Sequence, residues 1–441
     1  MAVEDSRLKG FHHLSVSERL NLIKMAAGLS DEAANALGSF AELDCEAADR
    51  MVENVIGTMS LPIGIATNFV IDSKHYLIPL CIEESSVVAA ASNMAKRCLK
   101  NGGFFTECDP PLMIAQIQVL DIENIAAAEE ALAEARDSLI TQCNDVDSTM
   151  IRLGGGCKSI LTRVIESQIG TMLVVHLIVD CQDAMGANAV NTMAERISPR
   201  IAELTKGRVN LRILSNLAVH RIARASAIFT PEEIDNSGDR EKGLAIIASV
   251  LEAYHFAAAD PFRATTHNKG LMNAISGIAL ACGQDWRAVE AGCHAWASHG
   301  RAHYSSLTEW WQDDEGNLCG RIEVPLAVGI IGGASKIHPG ARANLELLGV
   351  ESAQELAGVM AAAGLAQNLG AMKALSTDGI QAGHMRMHMR NMASSEGADS
   401  VEIEKIAVLL EDSSETITPQ LIRTTLKHLR DDHSSCNNNV D

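Results

Sequence analysis

The order of secondary-structure signals between Pro110-Pro111 and Asn216 constrains this chain most. Leu112–Asp121 is strand-like and Glu123–Cys143 is an Ala/Glu/Leu-rich helix. Lys158–Ser167 and Thr171–Cys181 are two β-rich runs around a Gln-Ile-Gly turn, Asn188–Thr205 is an amphipathic helix, and Val209–Ser215 is a strand. The order β-α-β-β-α-β is that of a ferredoxin-like unit. It contains no G-x-G-x-x-G, so a Rossmann dinucleotide fold is not supported. The two prolines before it stop any helix and mark a boundary.

The flanking sequence reads differently. Residues 1–50 are helical, with Ser15 and Ser30 as capping residues ahead of apolar periodicity. Residues 62–83 are β-rich around the turn Asp72-Ser-Lys, and Ser86–Cys98 is a helix. From Ala218 onward the pattern is mostly helical. Lys269–Cys282 is apolar on nearly every side and predicts a buried helix. Ile322–Gly333 is strand-like, and Glu355–Leu369 is an Ala-rich helix. Beyond about residue 377 the chain is more polar. The fold class is therefore α+β, with a large mainly helical part interrupted by the βαββαβ insert.

With 441 residues and 47% hydrophobic content, the chain has ample material for a buried core. Its net charge of −20 argues against nucleic-acid and anionic-membrane partners. No apolar run approaches the ~20 residues that span a bilayer. The eleven cysteines are scattered without a C-x-x-C, which reads as reduced thiols in a cytoplasmic protein and offers no zinc site.

Several short segments can carry chemistry. Asp183-Ala-Met-Gly-Ala-Asn188 sits where a strand becomes a helix, so its first-turn amides can hold a phosphate; an ordinary Asp cap explains it equally well. Leu153-Gly-Gly-Gly-Cys157 permits a close backbone approach or is a plain connection. Asp147, just upstream, can face a ribose hydroxyl or water. Glu83-Glu84 closes a strand-like run and suits general acid work or a helix N-terminus. Lys269, entering an apolar helix, must be paired or functional, and Asp285 beyond that helix is a candidate partner. His384 and His388 stand four apart in a Met-rich stretch. No Glu follows in an H-E-x-x-H arrangement, so a general acid fits better than a metal pair.

Taken in order, Glu53-Asn-Val-Ile-Gly57, Glu83-Glu84 before Val87-Val-Ala-Ala-Ala-Ser92, the triple-glycine segment, Asp183–Asn188, His267-Asn-Lys-Gly270, Gly283-Gln-Asp-Trp-Arg-Ala-Val-Glu-Ala-Gly292, Gly364-Leu-Ala-Gln-Asn-Leu-Gly370 and Gly383-His-Met385 resemble the class II 3-hydroxy-3-methylglutaryl-coenzyme A reductases. The resemblance covers nearly the whole chain. It implies a discontinuous acyl-CoA-binding domain (1–109 and 217–376), a small nicotinamide-cofactor domain (110–216) and a C-terminal flap (377–441). It also implies a homodimer, or a higher oligomer, with interfacial sites.

By the same resemblance Glu84, Lys269, Asp285 and His384 are catalytic. Ser86, Arg263, Asn273 and Glu53 contact the substrate. Asp147, Asp183, Met185, Gly186, Ala187, Asn188 and Asn216 contact the cofactor. Asp147 implies a preference for NADH over NADPH. The remaining ligands are 3-hydroxy-3-methylglutaryl-CoA, mevalonate and CoA. Two positions depart from the pattern of the pseudomonad enzyme: Ser85 replaces a proline, and His12-His13 replaces a basic residue near the CoA phosphates. The alternatives are the same enzyme oxidising mevalonate, and a non-catalytic CoA-binding homologue.

Overall fold

A computed structural model of the chain describes all residues except 1, 2, 4, 40–42, 146–148, 378–388, 391, 411–416 and 438–441. Two sheets organise it. The strands are β1 (Ile63–Ile71), β2 (Lys74–Cys81), β3 (Phe104–Cys108), β4 (Leu112–Leu120), β5 (Gly156–Ser167), β6 (Gly170–Asp180), β7 (Arg208–Ser215), β8 (Ile222–Phe229), β9 (Thr308–Gln312) and β10 (Leu318–Pro325).

The smaller sheet has the order β5-β6-β4-β7 and is antiparallel throughout. Strand alternation decides its faces. Met113, Ala115, Ile117 and Val119 of β4 stand opposite Val179, Leu177, Val175 and Leu173 of β6, and all eight are buried. They pack under the helices Ile125–Glu134, Arg136–Asn144 and Ala187–Thr205 through Leu132, Leu139, Val190 and Ile197. The βαββαβ order is thus the one legible in the sequence, except that the first helix is interrupted at Ala135.

The larger sheet has the order β2-β1-β3-β8-β10-β9. Two of its strands, β8 and β9, correct the expectation of a mostly helical region after Ala218, and β10 begins earlier than expected. Ala223, Ala225 and Ala227 fill the inward positions of β8, so its alternation carries little hydrophobic contrast. Small residues are needed there because the central helix Ala353–Ser376 packs close by and is buried almost all round. Gly364 shows how tight this is. A β-carbon there would lie 2.8 Å from Ile275 on the neighbouring helix. Phe69 and Phe104, stacked at 5.4 Å between centroids, anchor the same core. Burying each such ring is worth roughly 1.5–3 kcal/mol.

The helices Ser400–Leu409 and Pro419–Asn437 share a small core of their own, with Ile406, Ile422 and Leu426 buried. Cys45 through Cys319 are free thiols. Among the described residues no single helix is long and apolar enough to cross a membrane.

Candidate active site

The helix Pro261–Ala281 begins earlier than the sequence suggests, because Asp260 caps it by accepting the Arg263 amide at 2.8 Å and Pro261 is preorganised for its first turn. It presents Lys269 on its open face. The Lys269 side chain is 59% exposed, which corrects the expectation of a buried cation. Leu271, Met272, Ala274 and Ile275 take the buried face instead. Lys269 Nζ donates to Glu84 Oε2 at 2.6 Å, and Asn273 Nδ2, one turn on, donates to the same oxygen at 3.4 Å.

Glu84 lies in the turn between β2 and the helix Val87–Arg97. Ser86, the N-cap, adopts a left-handed conformation (φ 73°) and makes no side-chain cap bond. A non-glycine residue held there is strained, and such strain gathers at functional turns. The turn borders a cavity of about 2210 Å³ whose wall includes Glu83, Glu84, Ser86, Asn68 and His338.

Asp285 does not reach Lys269, contrary to expectation. Its carboxylate accepts the Ala288 amide at 3.1 Å, capping the helix Trp286–Trp296, and pairs with Arg287 at 3.0 Å. A carboxylate committed to a helix terminus forms no direct ion pair with a distant cation. Arg263 is half-buried and has no carboxylate partner among the described residues, and burial pulls its guanidinium below the usual range. Glu53 makes no bond to Glu84, Lys269 or Arg263. It sits on an exposed stretch where Val52, Ile56 and Met59 also face out. His384 and Asp147 lie outside the described residues.

The Asp183–Asn188 segment is fixed from behind. The Ala353 amide donates to Asp183 Oδ1 at 2.9 Å, so this aspartate caps the central helix and not the one that follows it. That following helix, Ala187–Thr205, is capped by Gly186 in a left-handed conformation with no side-chain bond, which leaves its first-turn amides open to an anion. A β-carbon at Gly186 would strike Cys181 Sγ at 2.2 Å. Arg221, 5% exposed, donates to the carbonyls of Ala184 (3.2 Å), Met185 (3.3 Å) and Val328. Asn216 leaves β7 with its carbonyl against Gly292. Sequence reasoning passed over Arg221, because its role depends on backbone carbonyls from two distant segments.

His267 was also passed over as a residue in its own right. Its Nε2 lies 2.9 Å from Ser306 Oγ, 2.9 Å from Thr308 Oγ1 and 3.0 Å from Asn368 Nδ2. Burial, with the Arg263 charge adding to it, pushes the imidazole down to about 3. The unfolded value is about 6.5. Between these values the unfolded chain binds a proton that the folded chain refuses. Stability present above the unfolded value is therefore lost as pH falls through the window. In denaturant melts, His267→Gln is expected to flatten the acid limb by up to ~1.4 kcal/mol per pH unit below about pH 6.5. An unchanged slope would remove His267 from the account of acid sensitivity.

An ammonium held against a carboxylate at a cavity wall suits an enzyme that stabilises a developing oxyanion. The sequence model of hydroxymethylglutaryl-coenzyme A reductase matches residues 15–389. A 3-hydroxy-3-methylglutaryl-coenzyme A reductase of Archaeoglobus fulgidus is 52% identical over 405 residues, covering 92% of this chain and 91% of the relative. A probable reductase of Borreliella burgdorferi is 33% identical, covering 87% and 86%. Among solved structures, the Streptococcus pneumoniae reductase superposes with a TM-score of 0.81 at 36% identity, covering 96% of this chain and 99% of that one. A second structure, the class II reductase from S. pneumoniae bound to NADPH in open conformations, has a TM-score of 0.80 at 37% identity and covers 83% and 99%. The chain belongs to the hydroxymethylglutaryl-coenzyme A reductase family, in its class II form.

Proposed function

We propose that the chain interconverts 3-hydroxy-3-methylglutaryl-CoA with mevalonate and CoA, as a cytoplasmic homodimer. The observation that carries this reading is the Lys269–Glu84 contact at 2.6 Å, with Glu84 on the wall of the large cavity. Reduced nicotinamide cofactor would supply one hydride per molecule bound, so two molecules in succession would take the thioester to a primary alcohol. Lys269 stabilises the negative charge on the carbonyl oxygen, a role worth a few kcal/mol. Glu84 supplies the proton to the aldehyde oxygen in the second reduction. His384 protonates the departing CoA thiolate and so prevents reversal. Asp285 supports the lysine through the field of its charge.

Residues 1–109 and 217–376 bind the acyl-CoA, with Ser86 and Arg263 at the acyl carboxylate and Asn273 supporting the site from the lysine helix. Lys9 and Lys96, exposed on the cavity wall that His12 also lines and without ion pairs to described carboxylates, supply positive charge for the CoA nucleotide. Residues 110–216 bind the nicotinamide cofactor, and the open amides after Gly186 suit its pyrophosphate. Residues 377–441 form the flap. The apolar side chains exposed around Glu53 support burial against a second subunit.

Absorbance at the nicotinamide band tests the reaction: 3-hydroxy-3-methylglutaryl-CoA should oxidise two equivalents of reduced cofactor. Absence of turnover in both directions, with NAD and NADP alike, would overturn the reading.

Cofactor choice is a further expectation. A carboxylate at Asp147 accepts a hydrogen bond from the ribose hydroxyl of NADH and repels the phosphate of NADPH. Like charges about 4 Å apart at intermediate dielectric cost a few kcal/mol, enough for a tenfold preference. The kcat/KM ratio for NADH over NADPH should therefore exceed about ten and collapse in Asp147→Ala. An unchanged ratio would place the ribose elsewhere or give Arg152 the deciding role.

A further inference from the structure

The turn that opens the helix Ala187–Thr205 is gripped by a side chain from outside residues 110–216. Arg221 directly precedes β8, and its backbone carbonyl accepts the Leu326 amide at 3.1 Å, so its main chain is fixed beside β10. Its guanidinium reaches back to the turn. Nη1 donates to the carbonyls of Ala184 at 3.2 Å and Met185 at 3.3 Å, and Nη2 donates to the carbonyl of Val328. One planar fork thus ties the turn to the segment that follows β10. Met185 O and the Gly186 N–H belong to one trans peptide and point opposite ways. The group that holds the first therefore aims the second, at the N-cap of the helix.

We infer that Arg221 is a positioning residue of the cofactor site: its guanidinium holds the Ala184–Gly186 turn where the first-turn amides meet the pyrophosphate. The inference rests on the reading above that those amides take a dinucleotide. Arg221 is 5% exposed, and carbonyl oxygens satisfy it in place of a carboxylate. A buried charge is a poor source of net stability, so what the fork supplies is geometry.

The backbone around the turn has little slack. The Ile330 amide donates to Asp183 O at 2.9 Å, and Ala184 pairs with Ile331 in a parallel bridge. A β-carbon at Gly329 would lie 2.5 Å from the Met185 nitrogen, so the two segments run backbone against backbone. A small movement of one is therefore passed to the other. Arg221, Ala184, Met185 and Val328 do not line the large cavity assigned to the acyl-CoA. Loosening the turn should thus be felt by the cofactor and not by the acyl-CoA.

The test is the dissociation constant of NADH and of NADPH, read by their fluorescence, beside KM for the acyl-CoA. Arg221→Met, Arg221→Lys, Gly329→Ala and Asn188→Asp are compared with the wild type. Arg221→Met is expected to weaken cofactor binding about tenfold, while KM for the acyl-CoA stays within about twofold. Arg221→Lys keeps the charge but loses the fork, and is expected to weaken it about fivefold. Gly329→Ala keeps Arg221 but presses on the Met185 amide, and is expected to weaken it about fivefold. A folded Arg221→Met or Arg221→Lys protein with wild-type cofactor affinity overturns the inference, as does equal weakening of both ligands. If neither folds, wild-type affinity in Gly329→Ala overturns it. Asn188→Asp puts a carboxylate at the exposed mouth of the helix, where it repels a bound anion by about tenfold or more. Wild-type affinity in Asn188→Asp overturns the reading of the amides as the pyrophosphate site, which separates the two failures.

Discussion

Lys269→Ala is expected to lower kcat by about a thousandfold or more while leaving the fold intact. Removing one oxyanion stabiliser costs about 10²–10³ in rate. Here the same substitution also frees Glu84, whose carboxylate is held by this ammonium and, more weakly, by Asn273. The folding cost should be small. The Lys269 side chain is 59% exposed, and exposed ion pairs contribute about 0–1 kcal/mol. Steady-state kinetics beside a thermal melt separate the two effects. Near-normal kcat in a folded variant would strip Lys269 of its role. Lys269→Arg is not expected to rescue, because a planar guanidinium cannot place a point charge where the ammonium stood.

His384→Gln should divide the reaction. Release of CoA requires a proton on the thiolate, and general acid catalysis of such a step is worth about 10²–10⁴. Reduction of 3-hydroxy-3-methylglutaryl-CoA is therefore expected to slow by about a hundredfold. Reduction of free mevaldehyde, which expels no thiolate, should stay within a few-fold. His388→Gln should change neither substantially. Equal slowing of both half-reactions in His384→Gln would rule out thiolate protonation and point to flap closure.

Much of this architecture was open to reading from the chain. The βαββαβ order emerged because β4 and β6 are β-rich apolar runs of strand length and the helix Ala187–Thr205 is amphipathic, so local pattern was sufficient. The caps at Ser15 and Ser30 were legible because their signal is local; Ser15 and Glu18 form a capping box. Glu84 and Lys269 were legible as candidates through motifs, and their meeting across 185 residues agrees with those motifs.

What the sequence determined by itself was therefore local: element types, their order, and which residue types stand at the turns and helix entries. Tertiary structure alone decided the rest. It made strands of Ile222–Phe229 and Thr308–Gln312, since pairing with β3 and β10 outweighs weak alternation. It turned Lys269 outward, because the helix buries its other face, and it committed Asp285 to a cap and to Arg287. It also joined Ser276, Glu290, His294 and Tyr304 into one chain of hydrogen bonds. The reason is common to all four. A charge or a small side chain takes its role from the partner it meets, and those partners are brought near only by packing helices and strands distant in sequence.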